Sequence, residues 1–236
     1  MTHYFAIIEQ YEWNENPCDE WDSLGTMYTW HRNYILGGKD DFNNQSPIHD
    51  LNVWCFDEFN DLANLKELKG YNSYEGNIYF EDEEFTDVEL THEQETFFNQ
   101  TVNTWIKNNI CILPVYMYDH SGITISTGPF SCPWDSGPVG IIYVTKDTCE
   151  KQQIKFEDAE NILKNEITTL DQYLTGDVWG YAIYSTEDEE FANQILTHED
   201  ELPDDRNQED GCGGFFGYEY CKDTAKELLT FYSTKT

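Results

Sequence analysis

The chain has 236 residues and a mass of 27.7 kDa, enough for one large domain or two small ones with an apolar core that needs no disulfide or metal staple. Apolar residues make up 39 % and aromatic residues 16 %, which excludes an acidic disordered tail running the whole length. Forty-six acids against 13 bases leave a formal net charge of −33, which makes direct binding to nucleic acid repulsive.

The opening MTHYFAIIEQ has neither the basic segment nor the apolar run of a signal peptide, and no stretch reaches the roughly eighteen apolar residues of a membrane span. An intracellular protein is expected. Residues 3 to 9 read as a first strand. Residues 55 to 69 space Phe56, Phe59, Leu62, Ala63 and Leu65 as a helix ended by Gly70. Thr91 with Gln94 predicts a capping box opening a helix to about 108, with Phe97, Phe98, Val102, Trp105 and Ile106 as its apolar stripe. Two strands follow: ICILPVYMYD, whose Pro114 suggests an edge or a bulge, and VGIIYVT, bounded by Gly137 and Pro138. Residues 156 to 175 form an amphipathic helix ended by Gly176, VWGYAIY makes a strand, and 222 to 233 a last helix. Helices and strands do not alternate regularly. The expected class is therefore α+β, a mixed or antiparallel sheet with flanking amphipathic helices and an acidic surface, in a single domain over 1–236.

The negative charge is organised along the chain. Windows 1 to 31, 40 to 65, 70 to 106 and 165 to 205 contain no Lys or Arg and hold 6, 6, 9 and 12 acids respectively. A fifth basic-free window, 108 to 145, carries only Asp119 and Asp135 and reads as core strands and tight turns. A single acidic run is ordinarily a solvated face, and salt-loving organisms also make acidic proteins. An excess spread over a whole chain costs stability through self-repulsion and calls for a corresponding gain.

Chemical signatures are sparse. Seven cysteines, an odd number without CxxC spacing, read as reduced thiols, mostly core. The acids lack calcium-loop order, there is no HExxH, P-loop or GxGxxG, and neither a metal nor a cofactor is expected. The central block alone holds the residue types of a nucleophilic site. Asp119, His120, Ser121, Ser131, Cys132 and Asp135 could supply a Cys/His pair with an acidic orienter, although a Cys beside Pro133 and Trp134 also suits a buried turn. His31 reads as a hydrogen-bonded structural residue in an aromatic surround.

Four blocks carry a resemblance: EWDSLGTMYTWHRNYILG (20 to 37), LPVYMYDHSGITISTGPFSCPWDSGPVGIIYVTKD (113 to 147), LDQYLTGDVWGY (170 to 181) and GCGGFFGYEYC (211 to 221). Together they resemble an uncharacterised protein family of tailed phages and prophages. The resemblance implies a phage gene acting in the host bacterial cytoplasm, and carries over no fold, activity or catalytic residue. The acid-rich segments near 72–95 and 186–210 look like insertions relative to the family pattern. In charge and implied origin the chain is also similar to acid-rich phage proteins that occupy the DNA grooves of restriction or nuclease systems, without sharing their motifs. Duplex DNA carries one charge per ~1.7 Å, so 33 charges along one face would match roughly 55 Å. The expected function is inhibition of a host DNA-binding protein or nuclease complex by DNA mimicry. Its expected contact residues are Glu81, Asp82, Glu83, Glu84, Asp87, Glu89, Glu187, Asp188, Glu189, Glu190, Glu199, Asp200 and Glu201. The alternative is an enzyme or small-ligand binder using Asp119, His120, Cys132 and Asp135.

Overall fold

A computed structural model describes residues 1–31, 33–37, 48, 50–82, 84, 86–197 and 202–234. In chain order the elements are β1 (His3–Gln10), α1 (Pro17–Glu20), β2 (Thr26–Thr29), α2 (Leu51–Glu58), α3 (Asn60–Ala63), β3 (Tyr71–Tyr74), β4 (Asn77–Glu81), β5 (Asp87–Glu89), α4 (His92–Asn109), β6 (Ile110–Asp119), β7 (Ile123–Ser126), β8 (Ser136–Thr145), α5 (Lys146–Lys151), α6 (Ala159–Thr175), β9 (Val178–Thr186), β10 (Ile195–Leu196), β11 (Asn207–Phe216) and α7 (Tyr218–Thr234). The class is α+β. The chain divides into two compact units: residues 1–21, 118–126 and 167–236 in the first, and 22–117 and 127–166 in the second.

The first unit is built on a mixed sheet of order β10-β1-β9-β11. β1 runs antiparallel to β9, from His3 opposite Thr186 to Gln10 opposite Trp179, and parallel to the short β10. Strand alternation sends Ala6 and Ile8 of β1, with Tyr181 and Ile183 of β9, to one face. There they meet Cys221, Ala225 and Leu229, spaced four apart along α7, so a helical stripe closes a half-apolar sheet. β11 is the unexpected strand, because NQEDGCGGFF lacks β-branched residues and carries three glycines. Backbone pairing to β9, broken by two register shifts, holds it in place. At Gly213 the ring of Tyr11 comes within 2.1 Å of where a Cβ would stand, so a larger residue there would have to displace that ring.

The core of the second unit gathers Tyr28 of β2, Cys55 and Phe56 of α2, Phe98, Val102 and Ile106 of α4, and Ile141 and Tyr143 of β8. β2 lies antiparallel on β8, Thr26 opposite Tyr143 and Thr29 opposite Gly140. α4 begins with the expected box: Gln94 N donates to Thr91 Oγ1 (3.3 Å), and Thr91 N donates to Gln94 Oε1 (2.9 Å). Its buried stripe omits Phe97, which stays 45 % exposed. The helix expected over 55–69 is instead broken. α2 starts at its Asp50 cap and stops at Phe59, whose extended backbone (φ −110°, ψ 103°) leads into the short α3. At the break the Phe59 ring meets Trp54 (5.8 Å), Trp105 (5.7 Å) and Tyr143 (5.7 Å).

All seven cysteines are free thiols, but only Cys55, Cys149 and Cys221 are buried, and Cys212 is exposed. Burial pushes Cys55 up to about 12 and Cys221 up to about 11, which keeps both protonated. No helix among the described residues is long and apolar enough to cross a membrane.

One carboxylate fastens the second unit internally. Glu166, on α6, accepts hydrogen bonds from the successive backbone amides of Leu24 (2.6 Å) and Gly25 (3.0 Å). A Cβ at Gly25 would meet Leu163, Glu166 and Ile142 at 2.6 to 2.7 Å, so the tight approach requires glycine. Burial pushes the Glu166 carboxyl up, and the two amide donors only partly oppose it. Glu166→Leu, which strands both amides, is expected to cost about 1–3 kcal/mol in urea unfolding, and Glu166→Gln less, since one acceptor oxygen remains. A folded carboxyl with a raised pKa binds its proton more tightly than the unfolded one. Its contribution therefore falls as pH rises from the ordinary carboxylate range through the raised value, and the Gln variant should lack that slope.

Candidate acidic interaction surface

The segment 72–95 forms a small antiparallel sheet, β3-β4-β5, in the second unit. Tyr71 pairs with Phe80, Phe80 with Val88, and Glu81 with Asp87. Tyr71, Ile78 and Phe80 turn toward the core, so strand alternation puts Asn72, Tyr79, Glu81, Asp87 and Glu89 together on the opposite face. Glu81, Asp87 and Glu89 are exposed. Two carboxylates thus stand directly across one register pair, a third lies two residues along β5, and Asn72 Nδ2 donates to Asp87 Oδ1 (3.0 Å). Among the described residues, helix-local ion pairs occur at Lys151–Asp147, Lys164–Glu160 and Lys222–Glu219, and none of these three acids takes part in one.

Asp82 has a different task from its neighbours. One of its oxygens, Oδ1, accepts from Thr86 N (3.0 Å), Thr86 Oγ1 (2.9 Å) and Glu84 N (2.9 Å), closing the turn between β4 and β5. Those bonds, led by the Thr86 amide, hold its carboxyl below the usual value. Glu84 is exposed in the turn, and Glu83 lies outside the described residues.

The segment 186–210 repeats this division of labour in the first unit. Asp205 accepts from Thr186 Oγ1 (2.7 Å) and Glu187 N (2.8 Å), and Asp188 accepts from Glu190 N (2.9 Å) at the head of a 3-10 turn, Glu189–Phe191. Phe191 anchors that turn on Phe5 with ring centroids 5.4 Å apart. Glu187, Glu189 and Glu190 are left exposed on the folded loop, while Glu199, Asp200 and Glu201 lie outside the described residues. Asp205 was not singled out from sequence; its adjacency to Pro203 and Asp204 in a turn is the only local signal.

The residues of the alternative site fall in two units. Asp119 ends β6 and His120 follows it in the first unit, whereas Cys132 and Asp135 belong to the second. His120 stacks on Tyr118 at 6.0 Å, and its amide donates to Gly122 O (3.0 Å). Cys132 is half-buried, its Sγ 3.7 Å from Asp135 Oδ2 within one loop, and Trp134 is 91 % exposed, too open to wall a cavity. Outside that block, His31 stacks on Tyr34 (5.2 Å) and accepts from Asn33 N (3.2 Å). No group of three potential metal ligands occurs among the described residues. Comparison with protein-family models, curated proteins and solved structures finds no match to this chain.

Asp82→Ala should speed amide hydrogen exchange at Glu84 and Thr86, while Glu84→Gln leaves it unchanged. Because the folded pKa of Asp82 is lowered, its hold on the turn is complete above the ordinary carboxylate value and fails as pH falls through the lowered one, so exchange corrected for intrinsic rate should rise below about pH 4.

Proposed function

We propose that this protein is a phage-encoded acidic inhibitor of a host DNA-binding defence or restriction protein, acting in the host cytoplasm by presenting carboxylates where DNA presents phosphates. The observation that carries this reading is the register pair Glu81–Asp87, continued by Glu89 on the outer face of this sheet, beside Tyr79 and the exposed Tyr74. Like charges directly opposed across a ladder destabilise it. A cationic surface meeting it would relieve that repulsion. The strand backbone fixes the geometry: acids two apart on a strand stand ~6.6–6.8 Å apart, about two axial steps along one DNA strand at 3.4 Å each. The exposed Glu187, Glu189 and Glu190, held by the folded loop, add a second acidic display in the other unit.

An affinity pulldown from host lysate at low salt identifies the target, and its complex provides the test. Association should slow on the order of 10-fold or more between low and physiological salt, because surface charge steers the encounter. Duplex DNA should displace the inhibitor. Replacing Glu81, Glu84, Asp87 and Glu89 together by their amides, with Asp82 left in place, should weaken the complex while leaving the unfolding midpoint unchanged or raised. Affinity indifferent to salt, or DNA and inhibitor bound together at one site, would sink the reading.

The enzymatic alternative has its own discriminator. Cys132→Ser and His120→Asn should keep inhibition at a fixed stoichiometry under mimicry. A substoichiometric activity lost in either stably folded variant would make the central block an active site.

A further inference from the structure

A cleft of about 300 Å³ in the second unit lies where α2, α3, α4 and the β8–α5 junction converge, lined by Glu58, Phe59, Asp61, Trp105, Asn109 and Asp147 among others. Its apolar wall is the rim of an aromatic cluster in that unit. Phe59 and Trp105 lie with centroids 5.7 Å apart and planes 40° off parallel, and Phe59 leans on Trp54 and Tyr143 behind. Three carboxylates stand around this wall. Glu58 is steadied by a hydrogen bond from Tyr28 Oη (3.2 Å). Asp61 is exposed, and Asp147 shares only a solvent-exposed helix-local pair with Lys151, of the kind that contributes little. Lys146 is the one base in the lining, and Asn60 and Asn109 supply neutral amides.

We propose that this cleft is a socket for one arginine side chain of the protein's target. A guanidinium fits each part of it. Its plane stacks on Trp105 and Phe59, its fork donates to paired carboxylate oxygens, and its weak hydration favours such a half-dry site over the compact ammonium of lysine. An anion is disfavoured by three carboxylates, and an aliphatic side chain leaves them unused. The socket rests on the reading of the protein as a partner of a basic surface, to which it adds an anchor: the acidic faces steer, and an arginine laid against half-buried aromatic rings holds.

The test uses the whole protein labelled with 5-fluorotryptophan, the Trp105 resonance being assigned by Trp105→Phe. N-acetylarginine methylamide, titrated at constant ionic strength, should shift that resonance saturably with Kd on the order of millimolar. The lysine analogue should bind several-fold more weakly and the norleucine analogue not at all. Glu58→Gln with Asp61→Asn should weaken the arginine probe by about 10-fold. Because Glu58 also holds Tyr28, Asp61→Asn alone, at an exposed position, serves as the second variant, with an expected loss of a few-fold. No saturable shift, equal shifts from arginine and norleucine, lysine binding as tightly as arginine, or indifference to Asp61→Asn would each overturn the socket. Failure of the socket with a salt-sensitive target complex intact leaves mimicry standing. Arginine binding without any DNA-competed target removes mimicry and leaves the socket.

Discussion

Carboxylates in such excess cannot be neutralised by pairing, since 46 acids meet 13 bases; they must be solvated or satisfied by neutral donors. The fold does both, and the choice is made residue by residue. Asp50 caps α2, Asp82 and Asp205 close turns, Asp171 fixes β7 through Thr124 and Ile125, and Glu166 clasps Leu24 and Gly25. Each accepts from backbone amides, whose partial positive charge takes the place of the missing lysines. Among the described residues, Glu81, Asp87 and Glu89 are held outward by strand alternation, and Glu187, Glu189 and Glu190 by the loop that their neighbours tie. Acidity is therefore part of the internal construction, and only the residues left over are available to a partner.

Cohesion comes from aromatic rings. In the first unit Phe5 meets Tyr184 and Phe191, and Trp179 meets Tyr218; in the second, Tyr28, Trp54, Phe59, Trp105 and Tyr143 form a continuous cluster. Each ring buries a large area without adding charge. Such cores resist the self-repulsion of the surface because dispersion and desolvation act at short range and do not weaken with net charge.

Elements with strong local grammar were legible in the sequence. The capping box of Thr91 and Gln94, the alternation of residues 3 to 9, and Gly176 at the end of α6 each declare themselves within a few residues. What depended on distant partners was not. Phe59 breaks a plausible helix because three rings elsewhere in the chain reward the break, and β11 is a strand only because β9 offers it a ladder. The acid-rich segments were legible as charge, but not as a division between turn-closing aspartates and outward glutamates. That distinction depends on where the amides of Glu84, Thr86, Glu187 and Glu190 come to rest. The cleft at Trp105 drew no attention because its residues are scattered over nearly ninety positions.

The antiparallel pairing of β1 with β9 joins segments that lie far apart in the sequence, His3 facing Thr186. During synthesis β1 leaves the ribosome long before its ladder partner exists, and its apolar side chains Phe5, Ala6, Ile7 and Ile8 wait without a sheet to enter. Closing so long a loop is slow compared with forming the hairpins of the other unit, whose β3, β4 and β5 are near neighbours in sequence. The two units are thereby separated in time. The second can fold while the ribosome is still translating, and the first is completed only after β9, β11 and α7 have emerged, which leaves the nascent β1 exposed to chaperones and proteases in the meantime.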